Sequence, residues 1–238
     1  MRILYVISDF FYVLFYYVIG YRKKVVFNNI KLAFPEKSEQ ELTKISKKFF
    51  KHFTDLVFES VKSFSISEAE IKKRYVYKNI EVLRALEDKG KSIILMGSHY
   101  ANWEWIIYLN EMIRFTPYGA YTRMQNPYFE KKIKSSRTKF GAIFVKTSET
   151  VRMMQTNKKN GKKAVYGLLS DQSPRLDKTH YWRSFLGVHV PVITGAEMLA
   201  KKFDFSIVNY NATKIKRGYY EIEFEVITEN PTNFKDFD

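Results

Sequence analysis

One histidine in this chain sits where it could move a proton. His99 lies in the stretch Ser92 to Trp105, Ser-Ile-Ile-Leu-Met-Gly-Ser-His-Tyr-Ala-Asn-Trp-Glu-Trp, and Glu104 follows it five residues later. A neutral imidazole accepts a proton near neutral pH, and a carboxylate on its other nitrogen fixes the tautomer and stabilises the imidazolium. General-base catalysis of this kind contributes roughly 10²–10⁴-fold. The spacing fits a second reading equally well, a turn histidine beside a helix whose first turn favours the negative Glu104. Ser98 is adjacent, but neighbouring residues usually point apart and no Gly-x-Ser-x-Gly elbow surrounds it.

Other polar side chains could meet a substrate. Arg123 and Arg137 suit bidentate binding of phosphate or carboxylate. Lys131, Lys132 and Lys134 beside Arg137 fit a solvated helix face as well as an anion site. Asp171-Gln172 ends an apolar run and is a polar site pair or a turn. His180 and His189 lack metal-ligand spacing, so no metal is expected. The chain has no phosphate-cradling P-loop and no dinucleotide fingerprint, which disfavours ATP and NAD chemistry. It has no cysteine, which excludes a thiol nucleophile, a disulfide framework and cysteine-ligated zinc or iron–sulfur clusters.

These groups need elements to hold them. Ser92–Met96 is a short apolar run after Gly90 and predicts a buried strand, followed by a helix from about Ala101 to Ile113. Strands near Tyr118–Thr122, over Ala142–Lys146 and over Ala164–Leu169 alternate with helices from Pro127 to Phe140 and from Thr150 to Lys159. A helix over Pro191–Phe203 and strands over Phe205–Ala212 and Tyr219–Ile227 complete the pattern. Such alternation predicts an α/β fold with a mixed, largely parallel sheet flanked by helices and closed by antiparallel strands. Ligands in such sheets bind beyond the carboxyl ends of strands, where both His99 and Asp171 fall.

Upstream, Ser38 and Glu41 form a capping box before a long amphipathic helix. Leu42, Ile45, Phe49, Phe53, Leu56, Val57, Val61 and Phe64 recur along it at helical spacing. Ser67 and Glu70 repeat the cap for a short helix, and another helix covers Asn79–Lys89. Ile3 to Ile19 is apolar and rich in Tyr and Phe, about 17 residues long and so near the lower limit for a bilayer span. Ser8 and Asp9 interrupt it, and Arg22, Lys23 and Lys24 follow. The segment predicts an N-terminal membrane anchor helix that either spans marginally or lies in the interface, its basic flank holding the globular part on the cytoplasmic side if it spans, with a buried first helix as the competing reading. Residues 1–24 are thus expected to be anchor and basic flank, and 25–238 one catalytic domain.

The 238 residues carry 40 Lys and Arg against 25 Asp and Glu, a net charge of +15. That excess attracts anionic lipid, an acidic protein or nucleic acid, although no nucleic-acid module is visible and none is expected as a partner. Hydrophobic residues at 45% and aromatics at 17% exclude a disordered chain.

Several ordered blocks resemble one family. Ser98-His99-Tyr100-Ala101-Asn102-Trp103-Glu104 is similar to the His-x-x-Asn-Trp-Glu block of bacterial lipid A biosynthesis acyltransferases, a variant of the His-x-x-x-x-acid motif of glycerolipid acyltransferases. Arg22 to Ile30 and Leu32 to Ser38, Arg137 with Gly141, Asp171-Gln172 and Phe185-Leu186-Gly187 resemble further blocks in the same order. The resemblance implies transfer of a fatty acyl chain from acyl carrier protein, as co-substrate and without a cofactor, to a hydroxyl of a phosphorylated glycolipid acceptor, a lipid A precursor. The site would be the cytoplasmic face of the bacterial inner membrane. His99 would be the general base and Glu104 its orienting acid, with Arg137, Asn102, Asp171, Gln172 and Arg123 on the substrates. An acceptor of another kind, such as a phosphatidylinositol mannoside or an aminolipid, keeps the same chemistry. A non-enzymatic basic protein of membrane surfaces or nucleic acid is the alternative of a different class. Members usually continue with a helix and a Trp-rich basic segment, whereas this chain stops at Asn233–Asp238, as a shortened version or a fragment would.

Overall fold

The computed structural model describes residues 1–236; Phe237 and Asp238, at the end of the C-terminal stretch noted above, lie outside the described residues. In chain order the helices and strands are α1 (Arg2–Val13, continued by a π-helical turn Leu14–Ile19), α2 (Lys23–Ala33), α3 (Glu39–Lys62), α4 (Glu68–Arg74), β1 (Tyr75–Tyr77), α5 (Glu81–Asp88) and β2 (Ile93–Gly97). A 3-10 helix, Trp103–Glu111, precedes β3 (Thr116–Tyr121), α6 (Pro127–Arg137), β4 (Ile143–Lys146), α7 (Thr150–Lys159) and β5 (Ala164–Leu169). The chain continues through β6 (Trp182–Phe185), β7 (Val188–Pro191), α8 (Gly195–Phe203), β8 (Ser206–Lys216) and β9 (Tyr219–Thr228). They group into two compact units, one of residues 1–62 and 173–192 and one of residues 63–172 and 193–236.

The second unit is a seven-stranded sheet of order β1-β9-β8-β2-β5-β3-β4, flanked by helices. Every neighbouring pair is parallel except β8 with β9. The fold is therefore the mixed, mostly parallel α/β sheet that the alternating pattern predicts. Central strands of such a sheet are buried on both faces and so are uniformly apolar. Ile93, Ile94 and Leu95 of β2 and Val165 and Tyr166 of β5 are buried accordingly. Ile94, Tyr166 and Ile207 lie in register across β2, β5 and β8. On that face they pack with Ala196, Ala200 and Phe203 of α8 and Met154 of α7.

Two local expectations change. The helix expected over Ala101–Ile113 is a 3-10 helix over Trp103–Glu111, with Ala101 before it in the left-handed region at φ 58°. Its tighter turn brings Trp105 and Tyr108, three residues apart, into the buried layer together. The helix expected from Pro191 starts at Gly195, because Val188–Pro191 pairs with Trp182–Phe185 as a hairpin. Its two-residue turn is Leu186-Gly187, both at positive φ, the geometry that suits the twist of paired strands. A helix over Lys23–Ala33 and the short strand β1 were not anticipated.

The first unit holds α1, α2, α3 and the β6–β7 hairpin. The capping box forms as predicted, with the Ser38 N–H donating to Glu41 Oε2 at 3.0 Å and the Glu41 N–H to Ser38 Oγ at 3.4 Å. Arg2–Ile19 is, among the described residues, one helix long and apolar enough to cross a membrane, with mean hydropathy 1.6.

Candidate active site

β2 and β5 are parallel neighbours, paired so that Gly97 stands opposite Leu169. The chain leaves both strands at the same edge, and each polar residue comes two positions later, His99 after Gly97 and Asp171 after Leu169. The ladder runs one bond further, from the Ser170 N–H to the Gly97 carbonyl at 3.1 Å. This register delivers the two side chains to one place. His99 Nδ1 lies 2.7 Å from Asp171 Oδ1, and the His99 backbone N–H donates to Asp171 Oδ2 at 2.8 Å. An ionised carboxylate can only accept, so the ring proton resides on Nδ1 and Nε2 is left as the basic nitrogen. Each of these side chains is about one-third exposed.

Two aromatic rings fix the turn. The Trp103 ring meets the imidazole edge-on, with centroids 5.2 Å apart. Tyr210 of β8 donates its hydroxyl to the Ser98 carbonyl at 3.2 Å. Its phenol is pushed up, first by burial and then by the negative charge of Asp171, and so stays a donor. Residue 97 must be glycine for this packing, since a Cβ there would stand 1.9 Å from Cε1 of the Tyr210 ring.

The expected pairing of His99 with Glu104 does not form. Both Glu104 oxygens are taken by Arg137, whose Nε donates to Oε2 at 2.8 Å and whose Nη2 donates to Oε1. The reason is local. The 3-10 helix begins only at Trp103, so His99 is outside it and the five-residue spacing never closes over one helical turn. A guanidinium from the end of α6 then meets the carboxylate with its matching fork. The pair is mostly buried, and the Arg137 guanidinium lies 5.4 Å from the centre of the Phe144 ring.

His99, Trp103, Glu104, Arg137 and Gln172 line one cavity of about 750 Å³, whose other walls are mainly apolar, including Ile107, Phe144, Ala196 and Leu199. It wraps the carboxyl ends of β2, β5 and β3, the position that open α/β sheets use for ligands. Gln172 Nε2 is 3.5 Å from His99 Nδ1. Asn102 is buried beside the site, its carbonyl accepting from the Trp105 N–H at 3.2 Å, and does not line the cavity. Arg123 is exposed, 3.8 Å from a Glu130 oxygen, and is also outside the lining. The structure thus brings together His99, Asp171, Gln172, Glu104 and Arg137. Trp103 and Tyr210 were not singled out from the sequence. Trp103 stood inside the histidine block, but nothing marked Tyr210, because its contact depends on the β8–β2 pairing.

A carboxylate-held imidazole at the strand ends of an α/β sheet, beside a mainly apolar cavity and an Arg–Glu pair, is an arrangement that can take a proton from a group held next to an apolar ligand. The family model for bacterial lipid A biosynthesis acyltransferases matches residues 1–235, and the chain belongs to that family. The search among curated proteins gave no match.

Proposed function

We propose that the protein transfers a fatty acyl chain from acyl carrier protein to a hydroxyl of a lipid A precursor, at the cytoplasmic face of the inner membrane. The reading rests on one observation above all, the Asp171-held imidazole of His99 at the wall of a mainly apolar cavity, in a chain of the lipid A acyltransferase family. His99 Nε2 takes the proton of the acceptor hydroxyl as its oxygen attacks the thioester carbonyl. The carbon–sulfur bond then breaks, the ester forms, and the imidazolium returns the proton to the departing thiolate. No acyl-enzyme is required, in keeping with a chain that has no cysteine.

In this mechanism Asp171 positions His99 and balances the imidazolium. Glu104 acts through Arg137, holding its guanidinium beside the reacting groups, where it can face the acceptor phosphate or charge developing on the carbonyl oxygen. The cavity takes the acyl chain. Lys131, Lys132 and Lys134 are exposed on α6, and Lys134 also reaches the cavity wall, which supports docking of an acidic carrier protein there. The Arg2–Ile19 helix and its basic flank support membrane association.

The test is acyl transfer from acyl carrier protein to a purified lipid A precursor by wild type and His99→Ala, with mass spectra of lipid A from cells with and without the gene. Loss of one acyl chain without the gene, and of turnover in the variant, is the expected result. Full turnover by His99→Ala would sink the mechanism. An unchanged lipid A with another glycolipid lacking the chain would move the acceptor.

A further inference from the structure

We infer that α1 lies along the membrane interface, docked on α3, and does not cross the bilayer. The inference rests on the membrane association proposed above and goes beyond it to topology. α1 is built inside out. Its polar side chains face α3, with the Tyr5 hydroxyl donating to Glu59 Oε1 at 2.7 Å and the Ser8 hydroxyl to Asp55 Oδ1 at 2.8 Å. Lys51 Nζ lies 3.7 Å from Asp9 Oδ1. Ser8, Asp55 and Glu59 are buried in this seam. Its outer side carries Ile3, Val6, Phe10 and Val13 at 78, 69, 63 and 49% exposure. They stand three or four residues apart, one stripe of a helix.

The seam decides the topology. The contacts pair Tyr5 with Glu59, Ser8 with Asp55 and Tyr16 with Phe50, so α1 runs antiparallel to α3 along most of its length. A spanning α1 would draw α3 into the hydrocarbon with it. α3 carries Lys44, Lys47, Lys48 and Lys51 as well as Asp55 and Glu59, and such a helix does not enter the bilayer core. Crossing without α3 would leave Asp55 and Glu59 without their α1 partners and put Asp9 within the bilayer. Lying flat satisfies both sides. The seam stays closed, the outer stripe enters lipid, and Arg22, Lys23 and Lys24 meet anionic headgroups.

The absence of cysteine makes the test direct. Arg2→Cys and Lys159→Cys, both at exposed positions, are each labelled with a membrane-impermeant maleimide in intact cells and in inverted membrane vesicles. Phe11→Cys with Phe58→Cys, whose rings lie 5.2 Å apart in the native chain, is cross-linked in membranes with a short bis-maleimide. The expected result is labelling of positions 2 and 159 from the same side and cross-linking of the pair. Position 2 labelled from the side opposite to 159, with no cross-link, would overturn the topology and leave membrane association standing. A chain found wholly in the soluble fraction would overturn both.

Discussion

Asp171 grips His99 twice, accepting the ring nitrogen's proton at 2.7 Å on one oxygen and the backbone N–H at 2.8 Å on the other. Two bonds to one carboxylate fix both the rotation of the imidazole and the turn that carries it. The acid of the His-x-x-x-x-Glu block is meanwhile engaged by Arg137. The two carboxylates therefore have separable effects when they are neutralised.

Asp171→Asn keeps the shape and removes the charge. Its amide cannot serve the imidazole as a carboxylate does, so kcat should fall by about 10²–10⁴-fold. Glu104→Gln should lose less in kcat and instead raise KM, and Arg137→Gln should reproduce that pattern. Steady-state kinetics on the three variants checks this. A Glu104→Gln defect equal to that of Asp171→Asn, with Arg137→Gln unlike it, would return Glu104 to the histidine.

The Arg137–Glu104 pair should also be coupled in stability. Removing one partner leaves a mostly buried charge uncompensated, at a cost of about 1–3 kcal/mol. The double variant Glu104→Gln, Arg137→Gln should cost less than the sum of the single ones. Urea unfolding of all four proteins measures the difference, and strict additivity would show that the pair contributes no mutual stabilisation. Arg137→Lys should not rescue, since an ammonium has no fork.

Much of the sheet was legible because its strands are apolar runs bounded by turns. Ala164–Leu169 and Thr150–Lys159 have the predicted limits, and β2 differs by a residue at each end. Residues 188–191 misled because Pro191 looks like a helix start, whereas here it ends a hairpin strand. His99 and Asp171 were both visible as polar residues at strand ends. Their partnership was not, because it depends on β5 lying beside β2, a crossover that skips β3 and β4 in the sequence. Glu104 drew attention through its five-residue spacing, a local signal, while its actual partner lies 33 residues away.

Gly97 is the packing point of the site. Gly97→Ala should drive a Cβ into the Tyr210 ring, costing about 1–3 kcal/mol and shifting the turn that holds His99. Thermal unfolding should show a lower Tm, and activity should fall with it. Tyr210→Leu in the same chain removes the ring and should recover part of the lost stability. If Gly97→Ala were as stable and active as wild type, the close approach of Tyr210 would have no consequence.

Buried phenols set an alkaline limit. Tyr75 and Tyr77 are pushed well above the ordinary tyrosine value by burial, and Tyr210 is raised by burial and by Asp171. The unfolded chain releases these protons near pH ~10, and the folded chain holds them to higher pH. Their contribution is therefore complete below the unfolded value and is lost progressively as pH rises from there through the higher folded value. Urea midpoints should decline above about pH 10, with a shallower decline in Tyr210→Phe. Phenolate absorbance that accounts for all 17 tyrosines at ordinary pH without loss of structure would contradict this.

The cavity should set which acyl chains are accepted. Ala196 is buried in α8 and lines it, so Ala196→Leu fills space from the wall while leaving His99, Asp171 and Arg137 themselves unsubstituted. A longer donor chain then loses room that a shorter one never used. One methylene in such a pocket discriminates by about 10–200-fold, so kcat/KM for the longest donors should fall by that order relative to the shorter ones. The added side chain also strains a packed helix, at about 1–3 kcal/mol, and a thermal melt of the variant separates that from selectivity. Competition between donors of different length in one reaction reads the ratio directly. An unchanged preference in a folded, active variant would place the acyl chain elsewhere.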